Sequence, residues 1–166
     1  MGTDNNVSLA ISSAALALSL GAFLTTRWRD RRDLLLRVHE SMVAADQQRG
    51  RRLIYEMSAR RTRVEDLSDD DYVLVNNALA SLNNLGIYYR RRYVRRKDIL
   101  ELWALPVVRL LRAAEPFLAH RDGLVGTRTW PELRSFASDA ENYLQRQGVD
   151  VKAVETRVTE SPNPDV

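Results

Sequence analysis

The chain has no cysteine, which excludes disulfides, thiol catalysis and cysteine-ligated zinc or iron–sulfur centres. That absence fits a reducing compartment. Glycine is scarce, seven in 166 residues, while Leu, Val and Ala are plentiful, which favours helices over an all-β fold. Histidine occurs twice, at His39 and His120, and neither has a second histidine or an acid at ligand spacing. With no Ser-His-Asp set, metal-ligand cluster or paired loop carboxylates, the expectation is a protein without enzymatic activity, cofactor or metal.

The positive charge is unevenly spread. The formal net charge is only +3, yet residues 27–63 hold eleven arginines against five acids, Asp30, Asp33, Glu40, Asp46 and Glu56. Segment 65–71 then carries five acids and no base. A second basic run spans 90–97. Such blocks bear on partners more than on fold.

One long uncharged run organises the rest. Val7–Thr26, VSLAISSAALALSLGAFLTT, has twenty residues without a charge, and five arginines follow by position 37. As a helix it would measure about 30 Å, the thickness of a bilayer's hydrocarbon core. A secretory signal would need a basic lead, and MGTDNN has an acid and no base. A buried soluble helix would show a polar stripe, and none is present. The run therefore reads as a retained single-pass anchor.

Flanking cations resist translocation, so Arg27, Arg29, Arg31 and Arg32 place the following chain in the cytoplasm and residues 1–6 outside. That corresponds to the inner (plasma) membrane. Trp28 would lie at headgroup depth, and the four arginines would meet anionic lipid. Ser13, Ala17 and Gly21 repeat every fourth position and form a candidate dimer face, a spacing that an alanine-rich helix also produces by chance.

Residues 27–147 read as a cytoplasmic domain of about four helices. The first helix continues past Arg27, with a narrow stripe at Leu24, Trp28, Arg31, Leu35, Val38, Met42 and Ala45. Asp46 is a cap candidate for a second piece reaching Arg63, where Leu53, Ile54 and Met57 are apolar and Gly50 weakens continuity. Its six arginines suit phosphate or lipid, but a solvated face paired to nearby acids explains them as well. Ser68 and Asp71 make a capping box, with Leu67 and Tyr72 placed as a hydrophobic staple.

Tyr72, Val75, Leu79, Leu82, Gly86, Tyr89 and Tyr93 then alternate by three and four, a seam packed lengthwise on a neighbour. Gly86 would permit a close crossing, and Asn76, Asn77, Asn83 and Asn84 lie on its flank. The run YYRRRYVRRK sets tyrosines among Arg90, Arg91, Arg92, Arg95, Arg96 and Lys97. Aromatics among cations suit nucleic acid. The tyrosines share the buried phase, however, and cations favour a helix C-terminus, so structure is the preferred account.

Asp98 and Glu101 suggest the next cap, and Ile99, Leu102, Trp103, Val107, Leu110, Leu111, Ala114, Phe117 and Leu118 an apolar face kinked or split near Pro106 and Pro116. HRDGLVGTR, residues 120–128, lacks the lysine and hydroxyl of a phosphate loop and reads as a plain loop. Thr129 and Glu132 look like a last capping box before Leu133, Phe136, Ala137, Ala140, Tyr143 and Leu144, with Gly148 as the stop. Residues 148–166 are polar and proline-bearing and read as a disordered tail.

The segments RRLIYEM, NNALASLNNLGIYYRRR and DILELWALPVVRLLRAAEPFLAHR, set behind an N-terminal span, resemble a family of small bacterial membrane-anchored all-helical proteins. The likeness covers nearly the whole chain and rests on apolar patterning. The family's function is unknown, so the resemblance implies one transmembrane helix plus a cytoplasmic helical domain and supplies no site residue. The expected role is a membrane-tethered module that binds or regulates an unidentified protein, with a homodimer in view. Binding of anionic lipid or nucleic acid through the arginine clusters is the alternative.

Overall fold

Residues 3–149 are described in the computed structural model, with the side chains of residues 3–11 and 31 outside the described set. The expected tail therefore falls outside the described residues from position 150 onward. Six helices follow in order: α1 (Thr3–Val43), α2 (Ala45–Arg60), α3 (Asp69–Arg90), α4 (Arg96–Ala113), α5 (Glu115–Val125) and α6 (Pro131–Arg146). A single 3-10 turn, Val64–Asp66, precedes α3. Among the described residues there is no strand, as the composition implied.

Contacts divide the chain between Arg37 and Val38 into two compact units. The first consists of α1 up to Arg37, and its described side chains from Ser12 to Asp30 are all exposed. The helix does continue unbroken past Arg27. The second unit is a bundle. Within it α2 packs on α3, α3 on α6, α6 on α4 and α4 back on α2, closing a ring, while α5 lies against α4 and the 3-10 turn.

The core of that ring is apolar throughout. Val38 and Met42 end α1 inside it, joined by Ile54, Leu79, Leu82, Ile99, Leu110, Phe117, Leu118, Leu133 and Phe136. Each such side chain contributes about 1.5–3 kcal/mol on leaving water. No polar or charged residue among those described is fully buried.

Two glycines set how closely the helices approach. A methyl group at Gly50 would overlap the Leu74 carbonyl oxygen and come within 2.9 Å of Ala78 Cβ. At Gly86 it would lie 2.6 Å from the Glu132 carbonyl oxygen. Gly86 thus serves the crossing of α3 with α6 that its place in the seam suggested. Gly50 does not interrupt α2. It lets α2 lie against the backbone of α3.

Several expected helix ends move. Asp46 and Asp98 sit in the first turns of α2 and α4 rather than at their caps, which are Ala44 and Arg95 without side-chain bonds. Both acids still face the positive end of the helix dipole. Thr129 does not cap α6; Trp130 does, with φ 49° and no side-chain bond. At Ser68 the cap forms without the reciprocal half of the box: its Oγ accepts from the Asp71 amide at 3.2 Å, and the Asp71 carboxylate accepts from the Ser68 hydroxyl at 2.9 Å in place of the Ser68 amide.

The two prolines behave differently. Pro106 stays inside a continuous α4, whereas Pro116 occupies the first turn of α5, so the expected split falls at Ala114. A proline in a first turn removes no helical hydrogen bond. Residues 120–125 of the expected loop are helical, because α5 runs to Val125 and stops at Gly126 with φ 73°. Leu102, assigned to the inner face, is half exposed, and Ala104 and Val108 take its place in the core.

Candidate membrane and anion surfaces

The expected lipid and dimer residues all lie on α1. Ser13, Ala17 and Gly21 are exposed, and a methyl group at Gly21 would meet nothing within 4 Å. Leu16, Leu18, Leu20, Phe23 and Leu24 are exposed as well, at 71%, 76%, 56%, 59% and 56%. At 100° per residue Leu18 points nearly opposite Leu16, so the apolar surface is not confined to one face. The hydroxyls of Thr25 and Thr26 donate to the Gly21 and Ala22 carbonyls at 2.8 and 2.9 Å, so these polar groups are satisfied within the helix.

Beyond them, Arg27, Trp28, Arg29 and Arg32 are exposed, and the side chain of Arg31 lies outside the described set. The stripe continuing from Leu24 divides: Leu24 and Trp28 are exposed, Leu35 is half-buried, Val38 and Met42 are buried, and Ala45 is exposed. No helix among the described residues is long and apolar enough to cross a membrane. The described side chains supply only Ser12–Thr26 of the uncharged run, fifteen residues or about 22 Å of helix. Val7, Leu9 and Ile11 lie outside them.

The basic run 90–97 is not one surface. Arg90 pairs with Glu132 at 2.6 Å, Arg96 lies 4.7 Å over the Tyr89 ring and Lys97 reaches Glu101 at 3.6 Å. Arg90 thus links α3 to α6 and Arg96 links α4 to α3, while Lys97–Glu101 is an exposed pair within α4. Arg91, Arg92 and Arg95 are exposed and have no ion pair among the described residues.

Their backbone explains why they stand out. Helix α3 closes with the Tyr93 amide donating to the Tyr88 carbonyl at 3.2 Å and the Arg92 amide to the Tyr89 carbonyl at 3.3 Å. This is the Schellman pattern, whose left-handed position normally holds glycine. Here it holds Arg92, at φ 57°, at a cost of about 1 kcal/mol. The turn carries Tyr93 out of the seam: the side chain expected on the buried phase is 50% exposed, its ring 6.1 Å from that of Tyr88. Tyr89 keeps the buried phase, its ring tilted against that of Phe136 with centres 4.9 Å apart and its hydroxyl donating to Asp139 Oδ2 at 3.0 Å. Burial first, and then this bond, raise the Tyr89 phenol above its usual range.

Of the six arginines between 49 and 63, on α2 and the turn after it, three meet acids, and Arg60 and Arg61 have no ion pair among the described residues. Arg52 pairs with Glu56 at 2.8 Å, Arg63 with Asp66 at 3.0 Å, and Arg49 lies 3.8 Å from Asp71. Arg51 differs: it donates to the Met42 carbonyl at 2.7 Å, and its burial lowers its pKa. Along the outer side of this helix Gln48, Arg51, Arg52, Tyr55, Glu56 and Ala59 line an open groove. The spacing 48, 51, 52, 55, 56, 59 is legible in sequence as one helical face, and attention to arginine count alone missed it.

Two polar contacts were not foreseen. His120 Nδ1 lies 3.0 Å from Glu65 Oε1, joining α5 to the 3-10 turn, so this histidine is not isolated. Asp122 accepts from the Thr129 amide at 2.7 Å, the Thr129 hydroxyl at 2.6 Å and Arg134 at 2.7 Å. The Thr129 hydroxyl, the Thr129 amide and then Arg134 hold this carboxyl below the usual aspartate range. Glu132, the expected reciprocal partner of Thr129, is instead held by Arg90. Asn83 accepts from the Leu133 amide at 3.1 Å, the bond to a neighbouring helix that its place beside the seam allowed.

Among the described residues no group of three or more His, Cys, Asp or Glu can hold a metal ion. No family model, curated protein or solved structure matches this chain. The surfaces themselves are thus the guide to function: an apolar exposed helix, an open groove on α2 and an unpaired arginine turn.

Proposed function

We propose that this chain is a membrane-tethered helical module that binds or regulates another protein and has no catalytic activity. Val7–Thr26 is the tether, and the chain from Arg27 onward lies on the cytoplasmic side of the inner membrane. The observation that carries the reading is the exposure of Leu16, Leu18, Leu20, Phe23 and Leu24 around α1, with Thr25 and Thr26 bonded back to their own helix. Apolar surface of this extent is unfavourable in water by about 25 cal/mol per Å², and lipid or a partner helix relieves it. Val7, Leu9 and Ile11 extend the uncharged run to the twenty residues that a span needs. Likeness to the small bacterial membrane-anchored proteins belongs to the same proposal.

The partner surface in this reading is the groove on α2, where Tyr55 and the pair Arg52–Glu56 are offered together. Ser13, Ala17 and Gly21 offer a close-approach face for a second copy in the membrane. Alkaline carbonate extraction tests the tether. The intact chain should stay with the membrane pellet, and its appearance in the supernatant would sink the proposal.

A second reading is surface binding of anionic lipid or nucleic acid. The unpaired state of Arg91, Arg92 and Arg95 favours it. Binding dominated by phosphate contacts should weaken steeply with salt, whereas docking of a protein on the α2 groove should not.

A further inference from the structure

We infer that the α3–α4 turn, through Arg91, Arg92, Arg95 and Tyr93, is a docking surface for the phosphate headgroups of anionic phospholipid. The inference rests on the tethered reading for its setting, and on the bundle's own geometry for its residues. All six cations between 90 and 97 are exposed, but Arg90, Arg96 and Lys97 have partners for their head groups, whereas Arg91, Arg92 and Arg95, within five positions, have none among the described residues. The same turn exposes a tyrosine ring beside them. Guanidinium groups match phosphate oxygens in pairs, and an amphipathic ring is at home at headgroup depth.

The arrangement fits lipid better than nucleic acid. Three free arginines contact at most a few phosphates, whereas salt-sensitive nucleic-acid binding typically draws on about six to ten. A single-stranded partner would need successive rings to stack on. Here Tyr89 is buried, Tyr88 is half-buried, and Tyr93 is exposed. A surface this small suits a chain already held at the membrane, where it adds a second, weaker attachment to the first. Each arginine then shifts the docking equilibrium about five-fold.

Arg92 separates function from fold. Its left-handed backbone is one that glycine adopts without strain, so Arg92→Gly should raise Tm by about 4 °C. If the turn docks on lipid, the same change should weaken docking about five-fold. Stability and docking would move in opposite directions, which a purely structural arginine cannot produce.

The chain's lack of cysteine makes the measurement direct. A polarity-sensitive dye on Tyr93→Cys, standing in for the ring, is read in full-length protein in nanodiscs of phosphatidylcholine alone or with about 30% phosphatidylglycerol. Blue-shifted emission is expected only in the anionic discs. It should be lost near about 0.5 M salt and on changing Arg91, Arg92 and Arg95 together to Gln. A dye on Asp70→Cys, at the opposite end of α3, should not respond. Equal emission in both lipids, or a response that survives loss of the three arginines, overturns the inference.

Failure of the tether would show separately, as full-length chain that does not co-elute with neutral discs. The question is then put to sedimentation with vesicles of the same two compositions. Arginine-dependent binding to the anionic vesicles supports the inference. Binding to neither, or arginine-dependent binding to an RNA oligonucleotide in their place, overturns it.

Discussion

One methyl group has opposite consequences at different glycines of this protein. In an open helix, alanine is better than glycine by about 1 kcal/mol. Gly123, in α5, has nothing within 4 Å of an added Cβ, so Gly123→Ala should stabilise by about that amount. At Gly50 and Gly86 the same methyl meets the backbone of α3 and of α6, which side-chain rotation cannot relieve. Overpacking of this kind costs about 1–3 kcal/mol and exceeds the propensity gain. Urea unfolding of the three variants should give one midpoint above and two below the parent. From sequence, the seam spacing pointed to Gly86 as a crossing residue. Gly50 was legible only as a weak helix former, because the carbonyl it approaches lies 24 positions away on another helix.

At the scale of elements, the join between α5 and α6 depends on one carboxylate. Asp122 takes three donors from Thr129 and Arg134, where the spacing of Thr129 and Glu132 suggested a local capping box. Its pKa is lowered in the folded state, so its contribution is present above the usual aspartate value of about 3.9 and is lost as pH falls through the lowered one. Asp122→Asn should therefore lower Tm at pH 7, and the gap from the parent should narrow as pH is taken below about 4. A gap independent of pH would show that the charge is not what matters. The true cap at Ser68 was legible because all its parts lie within four residues. The α5–α6 join was not, since a helix end borrowing its partner from the preceding helix leaves no short motif.

For the whole molecule, the division between Arg37 and Val38 carries a prediction of its own. No described side chain before Leu34 is buried, whereas Val38 and Met42 belong to the core of the bundle. A chain beginning at Leu34 should unfold cooperatively with Tm within about 4 °C of the full chain. A chain beginning at Ala44 lacks both buried side chains and should be less stable by about 2–5 kcal/mol. Differential scanning calorimetry of the two truncations decides it.

Helical class, the inner faces of α3 and α6, the serine cap at Ser68 and the uncharged run with its arginine collar all follow from the order of residues. Periodicity and capping are local, so neighbours a few positions apart carry them in full. Which cations remain free is a different kind of fact. Arg90 is bound because Glu132, 42 positions later, is folded against it, and Arg96 because Tyr89 lies under it across a turn. Arg91, Arg92 and Arg95 differ from these in no property of the sequence. Packing alone separates them, because an ion pair depends on distance in space and the chain's order does not encode that distance for residues so far apart.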